Sequence, residues 1–128
     1  MIVIVDYGMG NLRSVQKAFE KNGAKAVVSD SAKLIKNASK IVLPGVGAFD
    51  SAMKELRRRK LVDLIKEKIL GGTPYLGLCL GFQFLFCESE ESQSGKTVKG
   101  FGIVPGTVKR FRGNMKIPHM GWNTIRLA

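Results

Sequence analysis

An open α/β fold, a mostly parallel twisted sheet with helices on both faces, is predicted by two features of this 128-residue sequence. Short apolar runs alternate with segments of helical periodicity, the order that produces parallel strands joined by crossover helices. Glycine-bearing turns also follow the runs ending at Val5, Leu43 and Leu78. Sites in such sheets lie at the carboxyl ends of the strands.

Ile2-Val3-Ile4-Val5 is a continuous β-branched run, as expected of a strand buried on both faces. Tyr7-Gly8-Met9-Gly10 turns the chain into a helix whose Leu12, Val15 and Phe19 recur on one face, and Gly23 stops it. Ala26-Val27-Val28 and Lys40-Ile41-Val42-Leu43 read as the second and third strands. Two helical stretches follow: 49–59, with Phe49, Ala52, Met53 and Leu56 on one side, and 61–70, with Leu61, Leu64, Ile65 and Ile69. Gly71-Gly72 ends the second, and Thr73-Pro74 introduces the fourth strand, Tyr75-Leu76-Gly77-Leu78. Cys79 comes next, then a helix expected over about 80–87. The acidic, serine-rich stretch 88–95 reads as an exposed loop. Ile103-Val104, Thr107-Val108 and Asn123-Thr124-Ile125 read as short strands between Pro and Gly turns.

No linker or internal repeat divides the chain, so residues 1–128 read as one domain, and a 45% hydrophobic content suits a packed core. The longest apolar runs, 1–5 and 75–80, are far too short to span a bilayer. Asp6 interrupts the opening run and no basic region precedes it, unlike a signal peptide. A soluble, cytoplasmic protein with no membrane partner is expected. Cys79 and Cys87 are too few for a disulfide framework and, flanking an expected helix, too far apart to bridge each other. Free thiols fit a reducing compartment, and Cys87 reads as a core thiol.

The motif that carries chemistry is Gly77-Leu78-Cys79-Leu80-Gly81, a G-x-C-x-G between an apolar strand and a helix. A nucleophile on a sharp strand-to-helix turn is held in a strained conformation with its side chain projecting outward. Glycines two residues to either side remove the Cβ atoms that would clash. A helix starting after Cys79 points N–H groups toward the sulfur and favours thiolate, the reactive form. Leu43-Pro44-Gly45-Val46-Gly47 follows the third strand. In nucleophile-elbow enzymes a second strand-end loop supplies one oxyanion donor. The candidate donors are the N–H of Leu80 and a peptide near Gly47.

These residues carry a family resemblance. Gly77 to Gln83 resembles the G-x-C-x-G-x-Q elbow of class I glutamine amidotransferases, and Pro44-Gly45-Val46-Gly47 resembles their oxyanion strand. The opening 6–15, Asp6-Tyr7-Gly8-Met9-Gly10-Asn11-Leu12-Arg13-Ser14-Val15, and the late Pro118-His119-Met120-Gly121-Trp122-Asn123 are similar to one branch, the glutaminase subunits of imidazole glycerol phosphate synthases. The resemblance implies that Cys79 attacks the carboxamide of glutamine, forms a glutamyl thioester and releases ammonia, with no metal and no cofactor. Gln83 and Gly45 would hold substrate, and Gly47 and Leu80 would serve the oxyanion. It implies that the ammonia passes to a TIM-barrel cyclase, the heterodimer partner, in histidine biosynthesis. Asn11, Arg13, His119, Met120, Trp122 and Asn123 would face that partner. The family's triad also needs a His and a Glu on a later strand, so the sequence is expected to lack the C-terminal part of the fold. The only histidine, His119, belongs to the partner-facing motif and not to the triad.

Two other readings compete. Gly8-Met9-Gly10 after the first strand, with Asp30 twenty residues beyond Gly10, partly matches a dinucleotide fingerprint. The third glycine is missing, its place taken by Arg13. The other reading starts from charge: 21 Lys and Arg against 10 Asp and Glu give a formal net of +11, which invites nucleic acid. Arg57-Arg58-Arg59-Lys60 ends a helix, where cations suit the dipole. Lys109-Arg110-Phe111-Arg112 matches no RNA-binding signature. Both read as solvated surface, and no nucleic-acid partner is expected.

Overall fold

The computed structural model describes residues 1–92, 95–114, 116 and 121–127. Its centre is a four-stranded parallel sheet of β1 (Ile2–Val5), β2 (Ala26–Ser29), β3 (Lys40–Gly45) and β4 (Tyr75–Cys79), in the order β2-β1-β3-β4. The helices between them are α1 (Leu12–Lys21), α2 (Ala32–Lys36), α3 (Phe49–Arg58) and α4 (Leu61–Leu70). This is the predicted open α/β architecture.

Alternation along the strands assigns the two faces. Val3 and Val5 of β1 and Ile41 and Leu43 of β3 point into the larger core. Ile35 of α2, Phe49, Met53 and Leu56 of α3, and Leu61 and Ile65 of α4 close over them, all 1% exposed or less. The helical spacing read from the sequence for α3 and α4 is the buried stripe. Ile4 and Val42 point the other way and pack, among the described helices, against α1, whose Leu12, Val15 and Phe19 are half-buried. That cover stops short of β4. Leu76, in register with Val42, stays 46% exposed. Between α1 and β4 runs an apolar groove of about 480 Å³ lined by Val15, Ala18, Phe19, Leu76 and Leu78.

Several expectations fail for reasons a local pattern does not carry. The helix after Cys79, α5, spans only Leu80–Gln83, and Phe86–Ser89 forms a strand, β5. A helix continued to residue 87 would have its later N–H groups reach back to the carbonyls of α5, but from Phe86 the chain pairs with residues 98–99 and 104–108 instead. The carbonyls of Phe84, Leu85 and Phe86 accept from the N–H groups of Phe101, Ile103, Val104 and Gly102 at 2.6–3.0 Å. With β6 (Val98–Lys99) and β7 (Val104–Val108), β5 makes a separate small sheet in the order β6-β5-β7. Residues 88 and 89 are therefore not exposed loop: Ser89 is fully buried, its Oγ accepting from the Glu91 N–H at 3.1 Å. Cys87 is not a core thiol. It points outward from β5, its Sγ 3.7 Å from the Val104 carbonyl. Residues 123–125 form no strand. The sequence reading also passed over α2, a five-residue helix capped by the Ser31 hydroxyl, which accepts from the Leu34 N–H at 3.4 Å. Among the described residues no helix is long and apolar enough to cross a membrane.

Candidate active site

The chain turns abruptly between β4 and α5, and Cys79 is the turning residue. Its φ of 55° and ψ of −110° are unusual for a side-chain-bearing residue. Such backbone costs about 1–3 kcal/mol and persists only where the surroundings over-determine it. Three glycines provide those surroundings. A Cβ at Gly77 would lie 2.5 Å from the Gly81–Phe82 peptide, and one at Gly81 would run into the Leu43 carbonyl of β3. A Cβ at Gly45 would lie 2.7 Å from both the Leu80 Cβ and the Tyr7 hydroxyl. With those three side chains absent, α5 folds back tightly on β3 and β4. The thiol is left exposed at the carboxyl end of the sheet.

Each residue singled out in the sequence can now be placed. Gly45 ends β3 directly opposite Cys79 in the ladder. Gly47, two residues on, is exposed with φ of 92°, and a Cβ there would come 3.3 Å from the Met9 methyl. The two glycine turns after β1 and β3 thus touch: Gly10, with φ of 109°, packs on Pro44 in the same way. Leu80 is buried at 2% exposure. On α5, one turn from the thiol, Gln83 holds its side-chain oxygen buried and without a hydrogen-bond partner among the described residues.

Asn11 caps α1, its side-chain oxygen accepting from the Ser14 N–H at 3.3 Å. Arg13 is exposed and donates to the Gln16 amide at 2.9 Å. Trp122 and Asn123 are exposed. His119 and Met120 lie outside the described residues.

The basic run at the end of α3 is tied down. Arg57 donates to the Lys99 carbonyl at 2.7 Å, Arg58 pairs with Glu55 at 2.9 Å, and Arg59 sits between Glu55 at 3.6 Å and Asp30 at 3.8 Å. The Arg59 guanidinium also lies over Gly8. Asp30 and the first glycine turn, the two parts of the dinucleotide pattern, are therefore occupied by one arginine. In the second run, Arg112 lies 3.9 Å from Glu90, which also accepts from the Arg110 N–H at 3.2 Å.

Sequence reasoning missed Tyr7, which it treated only as part of a turn. The ring is fully buried, edge-on to Phe84 at 6.5 Å, and its hydroxyl has no hydrogen-bond partner among the described residues. Burial, then the nearby Cys79, pushes its phenol up to about 12. Tyr75 on β4 is raised as well, by burial and then by Tyr7. Its hydroxyl donates to the Gly81 carbonyl at 2.6 Å.

The family model for glutamine amidotransferase class-I matches residues 3–126. An imidazole glycerol phosphate synthase subunit HisH from Syntrophotalea carbinolica is 52% identical over 98% of this chain and 63% of its own length. The protein of the same name from Synechocystis is 51% identical over 98% of this chain and 59% of its length. One from Bacillus cereus is 48% identical, again over 98% and 59%. The chain therefore spans about 60% of the length of such relatives. Among solved structures, a glutamine amidotransferase crystal structure superposes with a TM-score of 0.69 at 20% identity, covering 86% of this chain and 57% of that one. At that identity the superposition speaks to the fold alone.

Proposed function

This chain belongs to the class-I glutamine amidotransferase family, and we propose that Cys79 is the nucleophile with which it hydrolyses glutamine to glutamate and ammonia. The observation that carries the proposal is the exposed thiol on a strained turn packed by Gly45, Gly77 and Gly81.

The Cys79 thiolate adds to the carboxamide carbon of glutamine, and the carbonyl oxygen becomes an oxyanion. The N–H of Leu80 and a peptide near Gly47 receive that charge; removing one such donor costs about 3–4 kcal/mol of transition-state stabilisation. The C–N bond breaks, the nitrogen takes a proton and leaves as ammonia, and a glutamyl thioester remains. Water then cleaves the thioester to glutamate and regenerates the thiol. The buried oxygen of Gln83, unpartnered among the described residues, supports a role in accepting an N–H from the substrate, and Gly45 keeps the floor of the site free of side chain. Proton transfer is assigned, on the family resemblance, to a His and a Glu on a later strand.

Relatives named as subunits of imidazole glycerol phosphate synthase support a second half of the proposal. The ammonia is handed to a cyclase subunit, a TIM barrel, in cytoplasmic histidine biosynthesis. Asn11, Arg13, His119, Met120, Trp122 and Asn123 form the surface that meets it.

A diazoketone analogue of glutamine tests the nucleophile directly. Labelling should map to the Cys79 peptide alone and be slowed by glutamine. Labelling of Cys87, or labelling indifferent to glutamine, would sink the proposal.

A further inference from the structure

The helix that follows Cys79 is only four residues long, so its dipole is a weak source of thiolate stabilisation. Tyr7 offers another source. It stands two residues past β1, at the carboxyl end of the sheet, with no exposed surface. Phe49, Phe84 and Phe101 build the aromatic floor beneath the elbow, with Phe84 in contact with the other two and with Tyr7. A phenylalanine at position 7 would pack there equally well. The hydroxyl is what needs explaining, since a buried donor without an acceptor is costly. It lies in the space that a side chain on Gly45 would fill, and Gly45 is the ladder partner of Cys79. Among the described residues, Cys79 adds to the upward shift of Tyr7, and Tyr7 adds to that of Tyr75. Tyr75 already spends its proton on the Gly81 carbonyl, which leaves Tyr7 as the uncommitted donor.

We propose that Tyr7 is a positioning residue whose buried hydroxyl donates toward Cys79 when the thiol ionises, holding the thiolate at the elbow. The inference rests on the reading of Cys79 as nucleophile. Cys79 loses its proton to solvent or a base, while the phenol, raised to about 12, keeps its own and remains a donor throughout the working pH range. Among the described residues the hydroxyl is unpaired at rest, and the reactive form gives it an acceptor. The cost of burial is thus relieved only in the ionised state, which shifts the thiol equilibrium toward thiolate.

The test is the pH profile of Cys79 alkylation by iodoacetamide in the 128-residue chain and in Tyr7→Phe, with Cys87 as internal reference. Below the thiol midpoint, Tyr7→Phe should slow Cys79 about ten- to a hundredfold, as expected for the loss of one hydrogen bond to a charged group. Cys87 should be unaffected, and the two Cys79 rates should converge at high pH, where both thiols are ionised. A purely structural role would lower the Cys79 rate equally at every pH, and superposed profiles would mean no role; either result overturns the proposal. A wild-type Cys79 no more reactive than Cys87 would remove the nucleophile reading and this inference with it. Should Tyr7→Phe fail to fold, fluorotyrosine at position 7 gives a second readout. Its fluorine resonance should shift with the Cys79 midpoint, and a flat response would refute the proposal.

Discussion

The Tyr75 hydroxyl donates to the Gly81 carbonyl at 2.6 Å, fastening the strand before Cys79 to the helical turn after it. Strain at Cys79 can be kept only if both arms of the elbow are held, and this bond bridges them. Tyr75→Phe keeps the ring and removes the bond, leaving a carbonyl short of a donor. The expected cost is about 1–3 kcal/mol, read as a lower urea midpoint with an unchanged slope. An unchanged midpoint would show that the elbow is held by the glycines alone.

The close approaches at Gly81 and Gly77 should make them far less replaceable than glycines kept for their backbone angles. A methyl at Gly81 meets the Leu43 carbonyl, and neither strand nor turn can withdraw without opening β3 from α5. Gly81→Ala should therefore cost about 3 kcal/mol or more, at the severe end for a point change. Gly23 has φ of 75° and nothing within 4 Å. Gly23→Ala should cost only about 1–2 kcal/mol, the penalty of a left-handed alanine. Urea titrations of the two variants measure the difference, and equal costs would contradict the packing described here.

How much of this was legible beforehand depends on how far each cause reaches along the chain. The strands read at 2–5, 26–28, 40–43 and 75–78 and the helices α1, α3 and α4 are written in their own periodicity, and they form, three of the strands running one or two residues longer than read. The glycines around Cys79 were legible because a nucleophile elbow imposes its spacing locally. The length of α5 was not. The helix ends because residues 86–89 are captured by pairing with 98–99 and 104–108, while the carbonyls of 84–86 accept from the N–H groups of 101–104, partners 16–19 residues away. The same capture places Cys87 on a strand and outward-facing. Tyr7 was overlooked because its relation to Gly45 and Cys79 exists only once β1, β3 and β4 are in register.

The two faces of the sheet predict unequal responses to truncation. Leu43 is fully buried under α3 and Leu80, while Leu76 stands 46% exposed in the groove beside α1. Leu43→Ala should cost about 2–5 kcal/mol, in the usual range for a buried leucine. Leu76→Ala should cost only about 1–2 kcal/mol, because nearly half of its surface stays in water. A cost at Leu76 matching that at Leu43 would mean that the groove is covered in solution.

Alkaline pH should loosen the fold through the buried tyrosines. Tyr7 is raised from 10.0 to about 12, and Tyr75 is raised too. In the unfolded chain both ionise near pH 10, while the native state holds its protons longer, so above pH 10 the unfolded state binds fewer protons. Stability is then complete below pH 10 and declines as pH rises through the native values. For Tyr7 the loss by pH 12 is on the order of 2–3 kcal/mol. Urea midpoints from pH 8 to 11.5 should fall, and less steeply in Tyr7→Phe. A flat profile would contradict the burial of both phenols.

The last prediction concerns turnover and separates the nucleophile from its proton-transfer partners. The chain carries Cys79, the Gly45–Gly47 turn and Gln83, whereas the relatives extend well beyond the span it matches. Its only histidine, His119, sits in the segment proposed to face the cyclase. With the cyclase, its ligand and glutamine present, the limiting step for these 128 residues should be proton transfer. A general base and acid contribute typically about 10²–10⁴-fold. Members of a coupled triad act as a unit, so the loss can be greater. Ammonia release should therefore be at least about 10²-fold slower than from a chain extended by the C-terminal segment of its relatives. Circular dichroism must first show both chains folded. In the extended chain, Cys79→Ala or Cys79→Ser should abolish release while leaving the fold intact. Comparable rates from the two chains would mean that the base lies within these 128 residues, and His119→Ala would then be the decisive variant.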